Sequence, residues 1–226
     1  MGGDQLDLEA YLARIGYEGD RRPTLDTLHA LHAAHLSSIG FENLEIVLGR
    51  PVPLDLESLQ TKMVAQRRGG YCYEQNLLYA AALHRLGFRI SGLCARPRMA
   101  TGASARPHTR CSRSSWTVRT GSRTSASAPR GCSNPFRYGT RRVPPGEWTF
   151  GLVHEKETRE RGRPRGRGMG APNPPRDDWF ELYAFGTERR FPVDYAVFNH
   201  YISTHPRSPF TARWWCSARA ANCAGR

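Results

Sequence analysis

Three stretches of the chain carry apolar residues at helical spacing. In 6–15 (LDLEAYLARI) they recur along one face, and Gly16 supplies a stop. Pro23-Thr24 opens a second stretch, TLDTLHALHAAHLSSIG, in which Leu25, Leu28, Leu31 and Leu36 recur every three to five residues. The third, 71–86 (YCYEQNLLYAAALHRL), is rich in the helix formers Ala and Leu and is closed by Gly87. Between the last two lie Gly40-Phe41-Glu42-Asn43-Leu44, which ends the second helix, and a Pro-containing connection over 51–59. The period then shortens to two. Residues 88–96 (FRISGLCAR) alternate as a strand does, with Cys94 expected as a packed core thiol, and so do 179–185 (WFELYAF). Residues 191–210 form a well-specified aromatic segment. Two stretches have no sustained period of either kind: 101–145, rich in Arg, Ser, Thr, Gly and Pro, and 155–176, of which 156–176 is expected to be a disordered loop. The pattern is lost again from Trp214 onward.

Composition adds bounds. A chain of 226 residues suits one large or two small domains with a sizeable core. No apolar run approaches the ~20 residues of a membrane span. The start is acidic and polar (Asp4, Asp7, Glu9), unlike a secretory leader, so no membrane partner and a cytoplasmic location are expected. The six cysteines, at 72, 94, 111, 132, 216 and 223, contain no CxxC pair, which argues for thiols and against a zinc ribbon. His29, His32 and His35 sit at i, i+3 and i+6, so they sweep round the helix; helix-surface histidines are expected, and no metal site. The net charge of +13 invites a nucleic-acid reading, but residues 101–176 hold 16 of the 33 basic side chains and only 4 of the 20 acids. The basicity therefore belongs to one segment. Its arginines are not interleaved with aromatics for base stacking, although a basic nucleic-acid binder stays open as an alternative.

The chemistry-bearing pattern is Arg68-Gly69-Gly70-Tyr71-Cys72-Tyr73-Glu74-Gln75-Asn76. A glycine pair lets the backbone pass where side chains would clash. A cysteine just after it falls in the first turn of the third helix, where partial positive charge favours thiolate over thiol. A thiolate is a strong nucleophile toward thioesters. The same pattern also suits a buried helix cysteine after a structural turn.

These residues resemble the active-site motif of the arylamine N-acetyltransferases, Arg-Gly-Gly-x-Cys-x-Glu. Phe41-Glu42-Asn43-Leu44 is similar to that family's block after its second helix. Pro192-Val193-Asp194-Tyr195, Asn199-His200-Tyr201 and the run Ser203 to Phe210 are similar to the block before its third domain. The resemblance implies an α+β fold with a papain/transglutaminase-like cysteine core. Its parts are an N-terminal helical bundle (1–87) carrying Cys72, a β-barrel-like middle domain (88–198) and a truncated α/β lid (from 199). It implies that acetyl-CoA, a co-substrate rather than a bound cofactor, acetylates Cys72, and that an arylamine, N-hydroxyarylamine or hydrazine then takes the acetyl group. Phe41, Ser208 and Phe210 match positions near the acyl, acceptor and CoA sites, and a plain aromatic core is the equal alternative for Phe41 and Phe210. Arg68, Gly69, Gly70 and Glu74 form the structural motif, Glu74 holding the first turn or pairing with Arg68. A histidine base and an orienting aspartate are implied between 105 and 130. The oligomeric state is left open.

Here the chain departs from the family. It carries Pro107-His108-Thr109-Arg110-Cys111-Ser112 where a Thr-His-x-Leu-Leu strand belongs, and has no aspartate between 56 and 176. His108 is the nearest candidate base; His84 stands twelve residues along the helix from Cys72, at ~1.5 Å per residue too far away. A shifted frame accounts for the departure. GC-rich codons for 110–127, read from the third base, give Leu-Leu-Ala-Leu-Val-Val-Asp-Gly-Ala-Asp-Gly-Val-Pro-Asp-Val-Gly, an apolar strand and then the missing aspartate. Residues 131–138, 169–173 and 213–216 behave similarly. The expectation is an acetyltransferase scaffold with out-of-frame segments. A catalytically inactive family member is the alternative.

Overall fold

The computed structural model describes residues 5–97, 113–120, 123–127, 136–137, 151–154, 167–172, 179–185 and 188–217. Two helices open the chain. In α1 (Leu8–Ile15) the Asp7 carboxylate accepts from Ala10 N, and Gly16 ends the helix in the left-handed region at φ 66°. In α2 (Leu25–Ser38) the Thr24 hydroxyl accepts from Thr27 N. Gly16 and Thr24 lie where the sequence places the stop of the first helix and the start of the second. A short strand β1 (Phe41–Glu42) leads into α3 (Leu44–Val47) and α4 (Leu56–Gln60). The helix then widens into a π-turn, Thr61–Ala65. The long α5 (Cys72–Arg85) follows, buried over most of its length.

Tyr11, Leu12, Leu28, Leu31, Leu59, Met63, Leu78 and Leu83 pack the helices into one core. The α2 histidines correct the surface expectation. His32 and His35 are buried, with Tyr79 against both rings at 5.7 and 5.1 Å. The Tyr11 hydroxyl lies 2.8 Å from His35 Nδ1. Imidazoles beside aromatic rings serve here as core residues, and periodicity alone does not separate them from surface groups. Burial, with His32 and Arg14 adding to it against a hydrogen bond that His35 donates to Gln75, pushes His35 down to about 3. Arg14 is buried too, its guanidinium donating to the carbonyls of Met63, Ser38 and Arg67. It thereby ties α1 to α2, to the π-turn and to Arg67, whose φ of 53° is left-handed.

Seven strands form an antiparallel sheet: β2 (Arg89–Pro97), β3 (Arg113–Thr120), β4 (Arg123–Ser127), β5 (Phe136–Arg137), β6 (Gly151–His154), β7 (Arg167–Pro172) and β8 (Trp179–Phe185). Their order is β5-β4-β3-β2-β8-β7-β6. Ile90 faces Val118 and Cys94 faces Ser114 in the β2–β3 ladder. Within 101–145, where the sequence shows no sustained period, the structure places β3, β4 and β5. The expected loop at 156–176 is corrected over β7, which pairs with both β6 and β8. Ladder bonds come from the main chain and do not require alternating side chains. Cys94 is half-buried.

Beyond the sheet, α6 (Pro192–Thr204) begins with Asp194 accepting from Phe191 N and runs unbroken through 198 and 199, where the sequence reading divides the chain. It seats Tyr195 and Ile202 in the helical core. A short α7 (Pro209–Ala212) and β9 (Cys216–Ser217) follow, and β9 pairs antiparallel with β1. Among the described residues, no helix is long and apolar enough to cross a membrane, and no cluster of His, Cys, Asp and Glu could hold a metal ion.

Candidate active site

Cys72 is the first residue of α5 and is buried at 5% exposure. The glycine pair before it works through close approach. Neither glycine has positive φ. A Cβ on Gly69 would lie 2.4 Å from the Gly40 carbonyl oxygen, and one on Gly70 would lie 2.8 Å from Met63 Sδ. The space is needed because the turn is stitched to β1. Glu42 N donates to Gly70 O and Gly70 N to Gly40 O, both at 3.2 Å. Gln75 Nε2 clasps the same pair, donating to Gly40 O at 2.9 Å and to Gly70 O at 2.7 Å.

A charged cluster lies under this turn. Glu74 Oε2 accepts from Tyr71 N at 2.9 Å, so the carboxylate caps the helix that begins with Cys72. Its other oxygen accepts from Lys62 Nζ at 2.8 Å. Of the two roles expected for Glu74, the geometry is that of holding the first turn, and its ion pair is with Lys62, not with Arg68. The Arg68 guanidinium turns to the far side of the loop and grips Glu42 and Glu45. Burial pushes the Glu74 carboxyl above the usual range, with Lys62 and the Tyr71 N–H working against that rise. For Glu45, burial acts upward but loses to Arg68, Lys62 and Arg50, which hold the carboxyl low.

Aromatic residues flank the turn. Phe41 and Phe210 are buried with ring centroids 6.2 Å apart, and Tyr71 meets Phe210 edge-on at 5.9 Å. The Tyr71 hydroxyl donates to Asn199 Oδ1, and Asn199 Nδ2 donates to Val52 O at 2.9 Å. Ser208 caps α7: its hydroxyl donates to Ile202 O at 2.6 Å and accepts from Phe210 N at 3.2 Å. Asn43 is the joint between the chain's two ends. Its Nδ2 donates to Phe210 O and Arg213 O, and its Oδ1 accepts from Trp215 N at 2.7 Å.

The structure thus brings Arg68, Gly69, Gly70, Cys72 and Glu74 together with Phe41, and sets Phe210 and Ser208 beside them. His108 lies outside the described residues. His84 is in the last turn of α5, at the opposite end from Cys72. Lys62, Gln75 and Asn43 were given no role by sequence reasoning. Asn43 and Gln75 carried a signal, their places in the Phe41-to-Leu44 and Arg68-to-Asn76 blocks; Lys62 carried none, and the partners of Lys62 and Gln75 are set by tertiary approach.

A family model described as N-acetyltransferase matches residues 24–112 and 157–224, leaving 113–156 between its two matched parts. The chain is 38% identical over 218 residues to an arylamine N-acetyltransferase of Mycolicibacterium smegmatis, covering 91% of this chain and 74% of that protein. The crystal structure of Nocardia farcinica arylamine N-acetyltransferase superposes with a TM-score of 0.82 at 43% identity, over 95% of this chain and 75% of that one. The Mycobacterium marinum arylamine N-acetyltransferase solved in complex with CoA gives 0.78 at 33% identity, over 93% and 76%.

Proposed function

This chain belongs to the arylamine N-acetyltransferase family, and from that membership we propose that it moves an acetyl group from acetyl-CoA to an arylamine, N-hydroxyarylamine or hydrazine through an acetyl-Cys72 intermediate. The observation that supports this most is the position of Cys72 at the first turn of a fourteen-residue helix, behind a glycine pair packed onto β1. In the first half-reaction the Cys72 thiolate attacks the thioester carbonyl and the CoA thiolate leaves. In the second, the amine nitrogen attacks the acetyl-Cys72 carbonyl, loses a proton and releases the Cys72 thiolate. The partial positive charge of the α5 N-terminus favours the thiolate in both steps. Phe41 and Phe210 would form the apolar flank for acyl group and amine. Ser208 supports Phe210 by capping the turn that carries it. The base is assigned to His108, which must come within ~3 Å of the sulfur or of one bridging water. The division into a helical part (1–87), a barrel-like β part (88–198) and a lid from 199 belongs to the same reading, with α6 shared between the last two.

Exposure to acetyl-CoA, followed by mass spectrometry of the peptide holding Cys72, tests it. One acetyl group is expected on Cys72 and none on a Cys72→Ser protein; an unmodified Cys72 peptide sinks the proposal. A second reading, an inactive family member from a frame-shifted gene, is favoured by the lack of any aspartate between 56 and 176. The nucleotide sequence of the locus decides it: bases that yield no family-like peptide in another frame remove it. The matched relatives are named as acetyltransferases, and the nucleic-acid reading is not carried further.

A further inference from the structure

Six charged side chains meet behind the Cys72 turn: Glu42 on β1, Glu45 on α3, Arg50 after it, Lys62 on the π-turn, Arg68 in the turn itself and Glu74 on α5. They divide unequally. Arg68 and Arg50 serve Glu45, and Arg68 also serves Glu42. Among the described residues, the cation on Glu74 is Lys62, at 2.8 Å, and its ammonium also stands 3.4 Å from Glu42 Oε1. Glu74 is 3% exposed, so water cannot replace that partner. The Glu74 carboxylate is also the cap of Tyr71 N, one peptide before the nucleophile, and lies close under Gly70.

We infer that Lys62 is a positioning residue for the Cys72 nucleophile: its ion pair with Glu74 keeps the α5 cap formed and cancels the negative charge that the cap places beside the first turn. The inference rests on the reading of Cys72 as nucleophile. The reasoning is electrostatic. A carboxylate near a helix N-terminus helps the helix but opposes a thiolate at the same end, because like charges disfavour one another. Pairing the carboxylate with an ammonium keeps the capping bond and removes the opposition. The π-turn makes this possible by carrying Lys62 on a segment held in place by the Arg14 bond to the Met63 carbonyl. Among the described residues, the charged groups facing Glu74 are Lys62 and Glu42, and Glu42 is itself held by Arg68.

The test follows Cys72 alkylation by iodoacetamide against pH, read on the Cys72 peptide by mass spectrometry in the full chain. It needs no acetyl-CoA, so it stands apart from the acetylation experiment. Lys62→Met is expected to raise the midpoint of the profile by ~1 unit and to slow alkylation at neutral pH up to about tenfold. Lys62→Arg, which keeps the charge, stays within about 0.3 unit of the parent. Glu74→Gln lowers the midpoint, and Lys62→Met/Glu74→Gln returns it close to the parent value. Glu74→Gln keeps an acceptor for Tyr71 N and reports even where Lys62→Met does not fold. A Glu74→Gln midpoint equal to the parent's, a Lys62→Met profile that superposes on the parent's, or a double variant that stays raised overturns the inference. A shifted midpoint in a protein that takes no acetyl group sustains the role of Lys62 and removes the acetyltransfer proposal alone.

Discussion

Replacing Gly69 by alanine should unfasten the nucleophile turn from β1. The added Cβ would stand 2.4 Å from the Gly40 carbonyl oxygen and 2.9 Å from Glu42 Cγ. Ordinary carbon–oxygen contacts begin near ~3.3 Å, so the two segments must part by roughly 1 Å. Both bonds across the seam are already 3.2 Å long, at the outer limit of good geometry, and neither survives such a separation. Gln75 reaches both sides and can follow only one, so a third bond goes with them. Gly70 is buried, which denies its N–H and C=O a water in exchange. Three bonds at ~1 kcal/mol each, less the ~0.4–1 kcal/mol that alanine gains by stiffening the unfolded chain, give a loss of ~2–3 kcal/mol. Urea unfolding followed by fluorescence measures it. Gly16→Ala is the control: nothing lies within 4 Å of the added Cβ, so it loses only the ~1 kcal/mol of a left-handed alanine. If Gly69→Ala matches the parent within ~0.5 kcal/mol, close approach is not why glycine stands there.

Two further outcomes follow from buried polar groups. Asn43→Ala removes two donated bonds and one accepted bond that hold Phe210, Arg213 and Trp215, so hydrogen exchange over 209–217 should quicken at least tenfold, for a loss of ~1.4 kcal/mol or more, while α1 and α2 keep their protection. Uniform quickening would contradict a local joint. His35 is held down at about 3 from an ordinary 6.5, so the unfolded chain binds the extra proton between those values. The stability His35 contributes is therefore whole above pH ~6.5 and lost as pH falls toward about 3. Between pH 7 and 4.5 the parent should lose ~2–3 kcal/mol more than His35→Gln, measured by urea midpoints; equal slopes would refute the assignment.

The helices were legible because their signals are local. Thr24 caps α2, Gly16 and Gly87 close α1 and α5, and each lies within four residues of what it acts on. The glycine pair was legible for the same kind of reason, since crowding at a turn selects against any side chain. The burial of His32 and His35 was not, because a histidine on a helix declares its environment only when Tyr11 and Tyr79 arrive from α1 and α5. Nor was the choice of Lys62 over Arg68 for Glu74. Both cations lie within twelve residues of that carboxylate, and only the π-turn decides which one points inward. Strands β3 and β7 were missed since pairing is a property of the main chain, whereas alternation is a property of a face that must be buried.

The site divides into two halves with different foundations. The nucleophile half is held many times over: Gly40 and Glu42 to Gly70, Gln75 across both, Glu74 to Tyr71, Lys62 to Glu74, Asn199 to Tyr71 and Asn43 to the Phe210 segment. No single one of these contacts carries the geometry, and every residue in them stands in a block that resembles the family or packs against one. On the proposed mechanism the acid–base half would come from a stretch with one histidine, His108, and no aspartate. A helix terminus and a neutralised cap can favour a thiolate by themselves, since both act through fixed charge and need no proton carrier. Moving the proton of an incoming amine is a different task, for which fixed charge is no substitute. On the proposed mechanism, thiolate formation at Cys72 draws on the first half, and every proton transfer draws on the half where the chain departs from its relatives.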